Sequence, residues 1–166
     1  MERERMEEQI TGQFRAALAM LKKAVELCPE PLWTEGGHVN PYWHVAYHAI
    51  FYTHLYLHDS EEEFRTRAGG HLLDLGPTPW FPGKPDKEAE PYTREQILSY
   101  IELCRREVSA KVAGCALDAA SGFSWLRFDR LGVHLYNLRH LQHHVGQLAD
   151  RLRVSADISL PWERVG

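Results

Sequence analysis

Eight of the ten histidines fall in two short stretches, His44, His48, His54 and His58, then His134, His140, His143 and His144. Both stretches space their apolar residues at helical rather than alternating intervals. The second contains His140-Leu-Gln-His-His144, and side chains four apart share a helix face with Cβ atoms about 5–6 Å apart. Two imidazoles so placed can share one metal ion. A third histidine from the other stretch would complete a set of three nitrogens, which requires the two helices to pack side by side.

The rest of the chain supplies partners for them. Residues 2–27 carry Ile10, Phe14, Ala17, Leu18, Leu21 and Val25 at helical spacing, and Cys28-Pro29 ends that segment because proline disfavours helix in the residue before it. Residues 29–37, rich in Pro and Gly, read as a loop. Asn40 as N-cap with Pro41 at the first helical position starts a second helix running to about His58. It is almost free of charge, so most of its circumference is expected to be buried. Residues 59–63 suggest one further helical turn. Thr93 caps a third helix, with Gln96 at capping-box spacing and Ile97, Ile101, Cys104, Val108 and Val112 on its apolar face. It fades near Gly114–Asp118, and Ser121-Gly-Phe-Ser breaks the chain before a fourth helix from about Arg130 to Arg153. Four helices without strand-like alternation predict an all-α four-helix bundle occupying residues 1–166 as a single domain.

Residues 69–91, rich in Gly and Pro, read as a long loop, a length that compact domains usually reserve for function. Its Trp80 and Phe81 need an apolar resting place, so the loop is expected to cover the mouth of the histidine site or a dimer interface.

With 25% charged residues, a net charge of −4 and basic residues spread out along the chain, nothing points to nucleic acid as a partner. No stretch reaches 18 uninterrupted apolar residues, which argues against a membrane span. The charged N-terminus lacks the apolar core of a signal peptide. Cys28, Cys104 and Cys115 have no CxxC spacing and read as reduced core thiols rather than nucleophiles. A cytoplasmic location is expected.

A helix advances about 100° per residue, which places His44, His48, Phe51, Leu55 and His58 within roughly 80° of one another on an inward stripe, with His54 off it. On the last helix His140 and His144 edge the stripe of Leu138, Leu141, Val145, Leu148 and Leu152, while His143 points to solvent. No carboxylate sits on either stripe at ligand spacing, against a di-iron carboxylate site. Imidazole nitrogens suit zinc, nickel, iron or copper. Asn137 or Gln147, one turn from a ligand, is placed to orient it. His44 and His48 both remain open as the third ligand on this reading.

Two segments carry a family resemblance: Pro41-Tyr-Trp-His-Val-Ala-Tyr-His-Ala-Ile-Phe-Tyr-Thr-His-Leu-Tyr-Leu and His134-Leu-Tyr-Asn-Leu-Arg-His-Leu-Gln-His-His-Val-Gly-Gln-Leu. They resemble the metal-binding helices of the DinB/YfiT-like superfamily, in which one histidine of the second helix joins a His-x-x-x-His pair of the last. The resemblance implies an up-down-down-up bundle with a long crossover between helices 2 and 3, over residues 59–92. It also implies a divalent metal, zinc or nickel first among the candidates, at His48, His140 and His144, and a homodimer. Characterised branches of the superfamily use low-molecular-weight thiols, as in mycothiol-dependent maleylpyruvate isomerase and bacillithiol transferases. The function expected on this ground is a metal-dependent S-transferase or hydrolase acting on a small electrophilic molecule. The alternative is a non-catalytic metal-binding or stress-response binding module.

Overall fold

The computed structural model describes residues 2–34, 37–66 and 91–165. Four long helices carry the architecture: α1 (Glu2–Leu27), α3 (Tyr42–Leu57), α5 (Arg94–Ala113) and α6 (Arg130–Ala156). A short α2 (Glu30–Thr34) and a helical segment α4 (residues 61–66) lie between them.

The apolar positions read from the sequence form one continuous core. Phe14, Leu18 and Leu21 of α1, Ile97, Ile101 and Val108 of α5, and Leu141, Leu148 and Leu152 of α6 are all fully buried. α3 is enclosed nearly all round, and of its residues only His48 and Tyr52 are half-buried rather than buried.

Named contacts fix the helix directions. Arg3 at the start of α1 donates to the Cys115 carbonyl just beyond α5, and Lys22 near the end of α1 pairs with Glu102, so these two helices run antiparallel. Phe14 meets His134 and Met20 meets Gln142, so α1 and α6 run parallel. Tyr47 meets Tyr100 and His54 meets Glu107, so α3 and α5 are parallel neighbours. Arg151 donates to the Asn40 carbonyl while Asn137 donates to the Thr53 carbonyl, so α3 and α6 run antiparallel. The order is up, down, down, up, and α3 touches α5 on one side and α6 on the other. Residues 67–90, with most of the expected crossover loop and both Trp80 and Phe81, lie outside the described residues.

Three local expectations need correction. α3 begins at Tyr42 with Pro41 in the N-cap position, extended at φ −63° and ψ 164° and without a side-chain cap. Asn40 does not cap; its carbonyl is taken by Arg151 from α6. Residues 29–37 are not all loop, because Glu30–Thr34 forms a helical turn. A proline in a first turn has no intrahelical N–H bond to lose, so Pro31 is compatible with it. α6 runs three residues past Arg153 and ends at Asp157 in the left-handed region, φ 54°. The capping box at Thr93 and Gln96 is present as expected.

Arg130, the first residue of α6, is buried and anchors the segment before it. Its guanidinium donates to Cys115 Sγ at 3.2 Å and to the Ser121 carbonyl at 3.0 Å. Gly122 sits in the left-handed region at φ 80°. A Cβ there would fall on the Asp59 carbonyl oxygen, so the close approach of these two segments requires glycine.

Candidate metal centre

The antiparallel register of α3 against α6 brings His48 to the HxxxH pair. His140 Nε2 lies 3.1 Å from His48 Nε2 and 3.1 Å from His144 Nε2. Ring centroids are 4.5 Å apart for His48 and His144 and for His140 and His144, and 5.1 Å for His48 and His140. One ring nitrogen from each of the three falls within 4.8 Å of the others. Two nitrogens each about 2.0–2.1 Å from one zinc ion, at bond angles of about 90–110°, stand about 2.8–3.4 Å apart, and both contacts to His140 Nε2 fall in that range.

The environment keeps these rings neutral, the state a metal ligand needs. Burial pushes His48 down to about 3, with the neighbouring His144, His140 and His44 adding to it. Burial likewise pushes His140 down to about 4, reinforced by His144 and His143. His144 is lowered by burial, partly offset by its bond to Gln147. With Gln147 Oε1 as the acceptor at 2.8 Å, His144 carries its proton on Nδ1, and its Nε2, 3.1 Å from His140 Nε2, is left bare.

Gln147 therefore takes the orienting position anticipated for it. Asn137 does not, because its amide nitrogen donates to the Thr53 carbonyl at 2.9 Å and ties α6 to α3 instead. His44, one turn before His48, is buried against Trp43 and stands outside the cluster. His143 is exposed, as the helical wheel indicates. His134 is fully buried against Phe14, a core histidine.

A cavity of about 420 Å³ adjoins the cluster, walled by His48, His140, Tyr52, Tyr56, Tyr136 and Trp125, with Glu61 also at its edge. This aromatic wall was not read from the sequence. Tyr52 and Tyr56 lie four apart on α3, and that spacing was the available signal; Trp125 comes from the irregular segment before α6, which carries none.

The helical wheel also separated His54 from His58. Both turn toward α5, where His54 Nε2 lies 3.3 Å from His58 Nε2 and 3.0 Å from Glu107 Oε2. His54 and His58 are themselves four apart, so this pair was visible; its carboxylate partner on α5 was not.

The thiols are not poised as nucleophiles. All three are buried, and burial pushes Cys28 up to about 12 and raises Cys104 further. No helix among the described residues is long and apolar enough to cross a membrane.

The all-α bundle gathers one histidine from its second long helix and two from its last, a group that could hold a metal ion. The chain belongs to the DinB superfamily, whose family model matches residues 13–148. Comparison with curated proteins and with solved structures finds no match.

Proposed function

We propose that His48, His140 and His144 hold one divalent ion, zinc or nickel, and that the protein uses it to act on a small electrophilic molecule bound in the adjoining cavity. The observation that supports this most is the convergence of three Nε2 atoms, with Gln147 setting the tautomer of one, at the wall of a 420 Å³ cavity. A site purely for structure normally closes with four protein ligands, often cysteines, whereas three leave room for water or substrate.

A bound ion of this kind supplies Lewis acidity, lowering the pKa of a thiol or water so that it attacks at neutral pH. The chain's own residues do the rest. Gln147 holds the His144 ring in place. Tyr52, Tyr56, Tyr136 and Trp125 offer flat apolar faces to a ligand and exclude water from it. Because Cys28 and Cys104 are buried with raised pKa values and Cys115 is buried too, a thiol nucleophile would be a free low-molecular-weight thiol. Water in its place gives a hydrolase. A homodimer and a cytoplasmic location belong to the same proposal and rest on the family and on the reduced thiols.

The test is metal analysis of tag-free protein, followed by a screen of low-molecular-weight thiols against electrophiles such as activated halides, epoxides and maleyl compounds. We expect bound zinc or nickel, and thiol-dependent turnover that His140→Ala abolishes. Turnover unchanged in His140→Ala, or no metal retained at micromolar free ion, would overturn the assignment.

A further inference from the structure

The histidine pair on the opposite side of α3 remains to be explained. His54 and His58 are each only 2% exposed, while the Glu107 side chain is 35% exposed and leaves the cluster a route to solvent. One ligand atom from each of His54, His58 and Glu107 falls within 4.8 Å of the others. Around them, His54 Nδ1 lies 3.1 Å from the Tyr100 hydroxyl. His58 Nδ1 lies 3.5 Å from Glu63 Oε2 and 3.0 Å from Lys111 Nζ, and Lys111 Nζ lies 3.1 Å from Glu63 Oε1.

With Glu107 ionised and Lys111 an ammonium, no placement of protons satisfies every short contact. If Lys111 donates to His58 Nδ1, the single proton of His58 is on Nε2 and points at His54 Nε2. That nitrogen must then be bare, and it faces the Glu107 carboxylate at 3.0 Å with no hydrogen between them. If His54 Nε2 carries a proton for Glu107 instead, His58 Nε2 must be bare, and His58 Nδ1–H then faces the Lys111 ammonium. Protonating either ring fully recreates one conflict or the other.

We propose that His54 Nε2, His58 Nε2 and Glu107 Oε2 form a second site, for a divalent ion of the zinc, cobalt or nickel type. A cation at their centre lets both Nε2 atoms be bare. The ring protons then sit on Nδ1, His54's directed at the Tyr100 oxygen and His58's at Glu63, the support that metal-bound histidines normally have. Lys111 keeps Glu63 and needs only to swing its flexible stem off His58. Two imidazoles and a carboxylate suit this class of ion. His58 occupies the C-cap of α3, where the negative end of the helix dipole favours a cation.

The two sites are separate. His54 and His58 lie about 9 and about 15 Å further along the helix axis than His48, and they face α5 rather than α6. The second ion would pin the last turn of α3 to α5, as the first joins α3 to α6.

The test is titration of chelator-stripped, tag-free protein with Co²⁺ and with Zn²⁺, read by calorimetry and elemental analysis, with helical circular dichroism as the check on folding. We expect two equivalents for the unaltered protein, one for Glu107→Gln, one for His140→Ala and none for the double variant. Glu107→Gln changes a partly exposed side chain isosterically, and His58→Gln provides a second variant if the first weakens the fold. The second affinity should fall by at least about tenfold, the loss seen even when a group that only supports a ligand is removed. Binding of one equivalent that Glu107→Gln removes and His140→Ala spares would support this site while sinking the first. A second equivalent whose affinity stays within threefold in both Glu107→Gln and His58→Gln, or a single equivalent lost only in His140→Ala, would overturn the proposal.

Discussion

Replacing His134 by leucine should stabilise the protein, and by more in mild acid than at neutral pH. His134 is fully buried in α6, and its two ring nitrogens have no hydrogen-bond partner among the described residues. Burial, and then the nearby Arg130 cation, push its pKa down to about 4. In the unfolded chain the ring titrates near 6.5, so the unfolded state takes up a proton that the folded state refuses. Its contribution is therefore fully present above pH 6.5 and is lost progressively as pH falls toward 4. At pH 5 the loss is about 2 kcal/mol, and at full titration it approaches about 3.4 kcal/mol, since each pH unit between the two pKa values is worth about 1.36 kcal/mol. Leucine removes this loss. It also removes polar atoms buried without partners, worth about 1–3 kcal/mol at any pH. The assay is urea unfolding of both proteins at pH 7.5 and pH 5.0 with a chelator present, so that metal binding does not contribute. The stability gap in favour of His134→Leu should widen by about 2 kcal/mol between the two pH values. A gap that stays constant would show that His134 protonates freely in the folded protein and would refute the reasoning.

His→Ala at His48, His140 or His144 should each cost most of the affinity for the first equivalent of metal, whereas exposed His143→Ala should leave it nearly unchanged by calorimetry. Equal losses in all four would mean the ion sits on the solvent side of α6. Gln147→Ala removes the acceptor that orients His144 and should weaken binding about 10–100-fold, with the helical signal intact. Gly122→Ala would combine a φ of 80° with a Cβ on the Asp59 carbonyl. Chemical denaturation should register a loss of at least about 2 kcal/mol for it. A neutral result there would show that the segments around 59 and 122 separate at little cost.

The sequence alone determined those features whose geometry is local. An α-helix places residues four apart on one face whatever surrounds it, so the His140–His144 pair, the exposure of His143 and the core stripes of α1, α5 and α6 were all legible. The capping box at Thr93 was legible for the same reason, because its bonds close within four residues. The helix directions and the choice of His48 over His44 were reached only through the family resemblance. In the structure the register is set by contacts between distant segments, such as Arg151 with the Asn40 carbonyl and Asn137 with the Thr53 carbonyl. Asn40 illustrates the limit: local chemistry favoured it as a cap, and Arg151, 111 residues away in the chain, claimed its carbonyl. The aromatic cavity and the pairing of His54 with Glu107 were likewise decided only by tertiary structure. A helix buried on nearly all sides gives no amphipathic signal to say which neighbour each face meets, so the partners of α3 follow from how the bundle packs.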